Sequence, residues 1–146
     1  MGWLRQVCKG KIHRATVTHA HLNYVGSISI DADLMAAADI RPYEMVQVTN
    51  LANGVIWQTY ALAAPAGSGV IGLNGPPARH FQPGDAVIIL SLAWVDDTAW
   101  DTVMPAVVFV DAHNRVERVE RIAPGTGEAG AGIGQAGAGA GNPAAP

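Results

Sequence analysis

Few residues in this sequence have the type and spacing to do chemistry. The first are in "NYVGSISID", residues 23 to 31, where Gly26 interrupts a β-like pattern and Ser27 follows at once. Glycine inside a strand costs stability and marks a bulge, a bend or a close approach of backbone. A Gly-Ser pair alone carries little, because about one is expected by chance in a chain of this length, and Gly67-Ser68 is a second copy. His13, His19 and His21 form the next group. His19 and His21, at i and i+2, project to one face of a strand, as two metal ligands would. No carboxylate or cysteine stands at matching spacing, so no metal is expected. Tyr60 beside Thr59 reads either as a packed strand residue with a satisfied hydroxyl or as a catalyst. Asn74-Gly75 reads as a turn.

The elements that must position these residues are mostly short strands. "ATVTHAHLNYV", 15–25, alternates as a strand with Val17, His19 and His21 on one face and Thr18, Leu22 and Tyr24 on the other; "ISID" continues it past Gly26. Asp31 or Asp33 can cap a helix over "ADLMAAADI", which Pro42 prevents from continuing. "EMVQVTN" and "VIWQTYALAA" flank "LANG", whose Asn53-Gly54 pair suits a tight hairpin needing positive φ. "GVIGLNG", "DAVIILSLAWV" after Pro83-Gly84, then "PAVVFVD" and "RVERVERI" around "AHN", complete a set of strands at sandwich or barrel spacing. The predicted class is mainly β with one or two short helices. Residues 1–122 form the one domain. Residues 123–146 form a tail whose Gly/Ala/Pro-rich composition, from Pro124 onward, has almost nothing to bury and is expected to be disordered.

Composition narrows the partners. A chain of 146 residues, 49% hydrophobic, can bury a real core in one domain. Its nine Lys and Arg are scattered among twelve Asp and Glu, a net charge of -3, so no electrostatic footprint for nucleic acid is present. The single cysteine, Cys8, excludes an internal disulfide framework and a multi-cysteine zinc site. The N-terminus lacks an apolar signal-peptide core, and no apolar run approaches the roughly 18 residues that span a bilayer. A cytoplasmic protein is expected, with small molecules or copies of itself as partners and neither membrane nor nucleic acid among them.

Taken in order, "GKIHRATVTHAHLNYVGSISID", "NG" followed by "TYA", and "GVIGLNG" before "PGD" resemble the aspartate 1-decarboxylases, small pyruvoyl enzymes, over residues from about Val7 to Ile122. The resemblance implies a double-psi β-barrel, in which "PGDAVII" matches a shared Gly-Asp turn, and a homotetramer with active sites between subunits. It implies that the Gly26–Ser27 bond cuts itself and that Ser27 becomes the pyruvoyl cofactor, with a separate maturation factor as one further partner. The strained backbone open to glycine would leave the carbonyl of Gly26 accessible to the serine hydroxyl. By the same resemblance Thr59 faces the oxyanion, Tyr60 returns a proton after carbon dioxide leaves, and Lys11 of a neighbouring subunit holds carboxylate. Asn74 and Gly75 line the substrate site, and His13 and Tyr24 support it.

Two departures bear on the substrate. The family carries a carboxylate-gripping arginine four residues before the tyrosine, where this chain has Ile56; Trp57 beside it falls on the opposite strand face. Pro76 and Pro77 follow "NG" and have no backbone N–H to offer. Lys11, Arg79 and His80 remain as compensating groups. The resemblance therefore implies conversion of L-aspartate to β-alanine and carbon dioxide. The alternatives are a decarboxylase for a less acidic amino acid and an inactive barrel that serves as a binding or assembly module.

Overall fold

The computed structural model describes residues 2–125. Its strands are β1 (Leu4–Thr16), β2 (His19–His21), β3 (Ser27–Asp31), β4 (Met45–Asn50), β5 (Ile56–Ala64), β6 (Ile71–Asn74), β7 (Ala86–Asp96), β8 (Ala106–Val110) and β9 (Val116–Arg121). One helix, α1 (Ala32–Ala37), and two 3-10 turns, Pro76–Arg79 and Asp97–Thr102, are the other elements among the described residues. The strands run in the order β2-β6-β3-β5-β4-β7-β1-β8-β9. Three pairs, β1 with β8, β2 with β6 and β3 with β5, are parallel. This is the mainly β architecture of a double-psi barrel. No helix among the described residues is long and apolar enough to cross a membrane.

Alternation builds the core. Ile28 and Ile30 of β3, Val46 and Val48 of β4, Leu73 of β6, and Val87 and Ile89 of β7 point inward with Phe81 and with Leu34 of α1. Asp31 caps that helix, accepting from the N–H of Asp33 at 2.8 Å, and its carboxylate also takes the N–H groups of Gly67 and Gly69. The helix ends at Ala37, short of the span predicted from the alanines, because Asp39 turns the backbone to φ 55. The β4–β5 connection is longer than a two-residue turn. Gly54 supplies a positive φ of 73, while the Asn53 side chain accepts from Val55 N–H and donates to His80 O.

Two expectations are corrected. The longest strand, β1, starts at Leu4, where no strand was expected, and runs antiparallel to β7. The strand expected over 15–25 does not form as one piece. Thr18 diverts the chain: its N–H donates to Ile71 O at 2.8 Å, and its hydroxyl accepts from Ile71 N–H at 3.0 Å. β2 consequently joins β6, Val17 stays buried, His19 and His21 are exposed, and residues 22–26 are irregular. Asn114, itself buried at φ 59, fastens this crossing from the β8–β9 turn through bonds to Thr16 N–H, Thr16 O and Gly69 O. Of the predicted tail, Ala123 to Gly125 leave the end of β9 through a turn; 126–146 lie outside the described residues.

β1 bulges between Cys8 and Gly10, where it meets the end of α1. A Cβ on Gly10 would lie 1.9 Å from Ala38 O and 2.9 Å from Ala38 C, both backbone atoms that cannot rotate away. Gly10→Ala is therefore expected to destabilise the fold by about 3 kcal/mol or more, at or beyond the usual upper range for overpacking. Denaturant unfolding checks this, and a loss under 1 kcal/mol would contradict it.

Candidate active site

Ser27 opens β3 and is fully buried. The strand is paired on both edges, parallel to β5 with Ile28 opposite Ala61 and antiparallel to β6 with Ser27 opposite Asn74. Because side chains alternate along a strand, burying Ile28 and Ile30 in the core turns Ser27 and Ser29 to the other face. There the Asn74 side-chain amide donates to Ser27 Oγ at 3.0 Å and to Ser29 Oγ at 3.1 Å. Ser27 Oγ in turn donates a long bond, 3.4 Å, to Val25 O. The nucleophile candidate is thus held by two neighbours at the point where irregular chain becomes strand.

A cavity of about 250 Å³ opens on this face, lined by His19, His21, Tyr24, Ser29, Gly72 and Asn74 together with Val70. The two histidines stack at 5.8 Å, and His19 Nδ1 shares a hydrogen with Thr18 Oγ1 at 2.7 Å. Their common face agrees with the spacing. Among the described residues no group of three or more His, Cys, Asp or Glu could hold a metal ion.

The register of β3 on β5, carried one step back from Ile28 and Ala61, sets Ser27 beside Tyr60. Tyr60 is half-buried and stacks on Tyr43, 5.5 Å between ring centroids and 5° from parallel. Tyr43 sits at φ 70 in the turn before β4. Nothing in "RPYE" signals that contact, because it depends on β4 and β5 being paired. Thr59 is 8% exposed and on the opposite face from Tyr60 with Ala61. Among the described residues its hydroxyl makes no hydrogen bond to Gly26.

Gly26 itself departs from expectation. Its φ lies outside the left-handed region, and a Cβ there would find Pro76 Cδ at an ordinary 3.7 Å. The conformation that demands glycine belongs to Gly75, at φ 79, whose N–H donates to His21 O at 2.7 Å.

Lys11 and His13 are not brought to Ser27. They lie on β1, which is separated from β3 by β5, β4 and β7. Lys11 is half-buried and makes no ion pair among the described residues. His13 meets Phe109 edge-on at 5.6 Å, and the Arg118 guanidinium covers that ring at 3.9 Å. His13 Nδ1 is buried without a hydrogen-bond partner. Burial, then the charges of Lys11 and Arg14, push the imidazole below its ordinary pKa.

None of the residues that depart from the family pattern lines that cavity. Ile56 is 61% exposed and shares its strand face with Tyr60. Trp57, on the other face, packs on the core and tilts against His80 at 6.1 Å. Pro76 and Pro77 open a 3-10 turn whose last residue, Arg79, is exposed.

Residues 3–117 match the family model described as aspartate decarboxylase. Among similar proteins, the aspartate 1-decarboxylase of Moorella thermoacetica is 54% identical over 117 residues, covering 80% of this chain and 91% of the relative. That of Pelotomaculum thermopropionicum is 55% identical over 123 residues, covering 84% and 92%. That of Heliobacterium modesticaldum is 51% identical over 127 residues, covering 83% and 96%.

The environment of His13 has a measurable consequence. A folded-state pKa below the unfolded value of about 6.5 means that the unfolded chain binds more protons in that window. Stability from this group is complete above the unfolded pKa and falls as the pH drops toward the folded one. The Tm of the wild-type protein should fall more between about pH 7.5 and about pH 5.5 than that of His13→Gln, which cannot titrate. Equal falls in the two proteins would show that His13 does not contribute.

Proposed function

The chain belongs to the aspartate decarboxylase family, and on that premise we propose that it is a self-processing, pyruvoyl-dependent amino-acid α-decarboxylase that converts L-aspartate to β-alanine and carbon dioxide. The observation that carries this reading is Ser27: a buried hydroxyl, held by Asn74 at 3.0 Å, placed immediately after an irregular segment that is exposed over residues 22–25. In the proposed processing step, Ser27 Oγ attacks the Gly26 carbonyl carbon and the peptide bond is replaced by an ester. Elimination then releases the Gly26 carboxylate, and hydrolysis of the remaining dehydroalanine consumes water, expels ammonia and leaves the pyruvoyl ketone at residue 27.

The surroundings of Ser27 fit that group. Its strand neighbours keep residue 27 buried, and Asn74 offers an N–H to the oxygen-bearing face. The pyruvoyl ketone, once formed, supplies the electron sink that decarboxylation needs. The chain's own residues do the rest. Thr59, nearly buried on β5 one residue before Tyr60, is the donor that the family resemblance assigns to the oxyanion of the cleavage step, a kind of stabilisation whose loss costs on the order of 10²- to 10³-fold. Tyr60, beside Ser27 and steadied by Tyr43, holds the proton delivered to the substrate α carbon, worth about 10²- to 10⁴-fold. Asn74 orients the substrate on the cavity side.

Lys11 acts from a second copy of the chain in the proposed homotetramer. The exposed Trp3, Leu4, Tyr43, Met45, Ile56 and Trp94 are surface that such an assembly would cover. A maturation factor is a further proposed partner.

Intact mass spectrometry tests the reading directly. Wild-type protein is expected to resolve into a chain ending at Gly26 and a chain that begins with the pyruvoyl group from Ser27, whereas Ser27→Ala stays full length. A wild-type chain that remains intact after prolonged incubation would overturn it.

Ile56 supports a second reading, a less acidic substrate. At the usual strand rise its Cα is roughly 13 Å from that of Tyr60 on the same face, a span that a long arginine can reach back across and isoleucine cannot. Ile56→Arg is expected to raise kcat/KM for aspartate more than for amino acids with uncharged side chains, since a charge-assisted pair contributes about 1.5–3 kcal/mol. Efficient aspartate turnover by the wild type, unchanged in Ile56→Arg, would show that another cation such as Arg79 already holds the carboxylate.

A further inference from the structure

Gly75 follows β6 directly and caps the 3-10 turn at Pro76–Arg79, a buried residue with a left-handed φ of 79. Its own backbone is fixed on both sides, the N–H donating to His21 O at 2.7 Å and the carbonyl accepting from Ala78 N–H at 3.0 Å. A Cβ at this position would lie 2.8 Å from Gly26 Cα, 3.1 Å from Gly26 N and 3.1 Å from Tyr24 O. All three are backbone atoms of the segment that leads into the Gly26–Ser27 bond. Pro76, the next residue, flanks the same segment through Cδ, the first atom that a Cβ on Gly26 would meet. Two glycines thus meet face to face, and only one of them has no room for a side chain.

We propose that the Gly75-Pro76 backbone is the seat that holds the Gly26 carbonyl in reach of Ser27 Oγ, which makes Gly75 a positioning residue for self-cleavage. This inference rests on the self-processing reading above. Its force comes from asking which side yields if the contact is crowded. The end of β6 is hydrogen-bonded to β2 on one edge and β3 on the other, and Asn74 is tied to Ser27 and Ser29. Residues 22–25 are irregular and exposed. A methyl group on Gly75 therefore pushes the 24–26 segment, by roughly half an ångström or more to regain ordinary carbon–carbon separation. The barrel keeps its pairing while the scissile carbonyl moves relative to a buried, strand-fixed hydroxyl.

The test separates crowding from backbone strain. Gly75→Ala and Gly54→Ala both place alanine at positive φ, 79 and 73, but a Cβ on Gly54 meets nothing within 4 Å. Cleavage is followed by intact mass after expression at low temperature, with Tm measured on the same samples. Gly75→Ala is expected to cut at least about tenfold more slowly than wild type, because sub-ångström to ångström misplacement of reacting groups has effects of that size. Gly54→Ala should cut at the wild-type rate, with a Tm loss similar to that of Gly75→Ala. Gly75→Ala that folds and cuts at or above the wild-type rate overturns the seat, as does equal slowing in Gly54→Ala. If Gly75→Ala does not fold, Pro76→Gly decides: this exposed residue flanks Gly26 on the same side, so slowed cleavage at unchanged Tm supports the seat and the wild-type rate overturns it. A wild-type chain that never cuts defeats the self-processing reading instead, which keeps the two failures distinct.

Discussion

Strand β3 constrains everything around it. In five residues it satisfies its backbone on both edges, parallel to β5 and antiparallel to β6, while Ile28 and Ile30 are driven into the core. Full burial of an isoleucine is worth about 1.5–3 kcal/mol, and a one-residue slip would reverse every side chain, expelling both isoleucines and burying Ser27 and Ser29 against apolar neighbours. Hydrophobic burial therefore fixes the register, and the register fixes the chemistry. Ser27 lies opposite Asn74 for the same reason that Ile28 lies opposite Leu73. Asp31 terminates the strand by gathering three backbone N–H groups, so its exit is as closely held as its pairing.

The entrance to the strand is held differently. Before Ser27 the chain leaves regular structure and is exposed for several residues, touched from below by Gly75 and Pro76. In the proposed self-cleavage, the Gly26–Ser27 bond therefore joins an irregular segment to a residue fixed in a strand. Polar pins elsewhere provide the contrasting rigidity. Asn114 joins Thr16 to Gly69, and Asn50 reaches both His80 O and the Asp85 carboxylate. Both side chains are themselves buried, and each ties together segments distant in sequence.

One chain leaves the proposed site incomplete. Lys11 and His13 are across the sheet from Ser27, and Tyr43, Met45 and Ile56 expose apolar surface around Tyr60. In the proposed tetramer these are two sides of one gap, with the β1 face of one copy supplying what the β3 face of another lacks. In that proposal the exposed Ile56 would stand at a boundary between chains.

The sequence alone determined the class of the fold and most of its strands, because alternation, Asn-Gly and Pro-Gly turns and the Asp31 cap are local signals that act within a few residues. The ordered motif set "GKIHR", "YVGS", "TYA" and "GLNG" was likewise sufficient to point to the family. What it could not determine was anything that depends on two distant segments meeting. β1 was missed before Ala15 because its N-terminal half mixes charged and apolar residues and becomes a strand only by pairing with β7. The strand over 15–25 was overextended because Thr18 turns toward Ile71, a partner far along the chain. The left-handed glycine is likewise not the one that local pattern suggests: Gly26 lies outside the positive-φ region and a Cβ there would make only ordinary contacts, whereas Gly75, at φ 79, is the one pressed against it. Steric exclusion between segments has no signature in either segment alone, so only the tertiary structure could decide it.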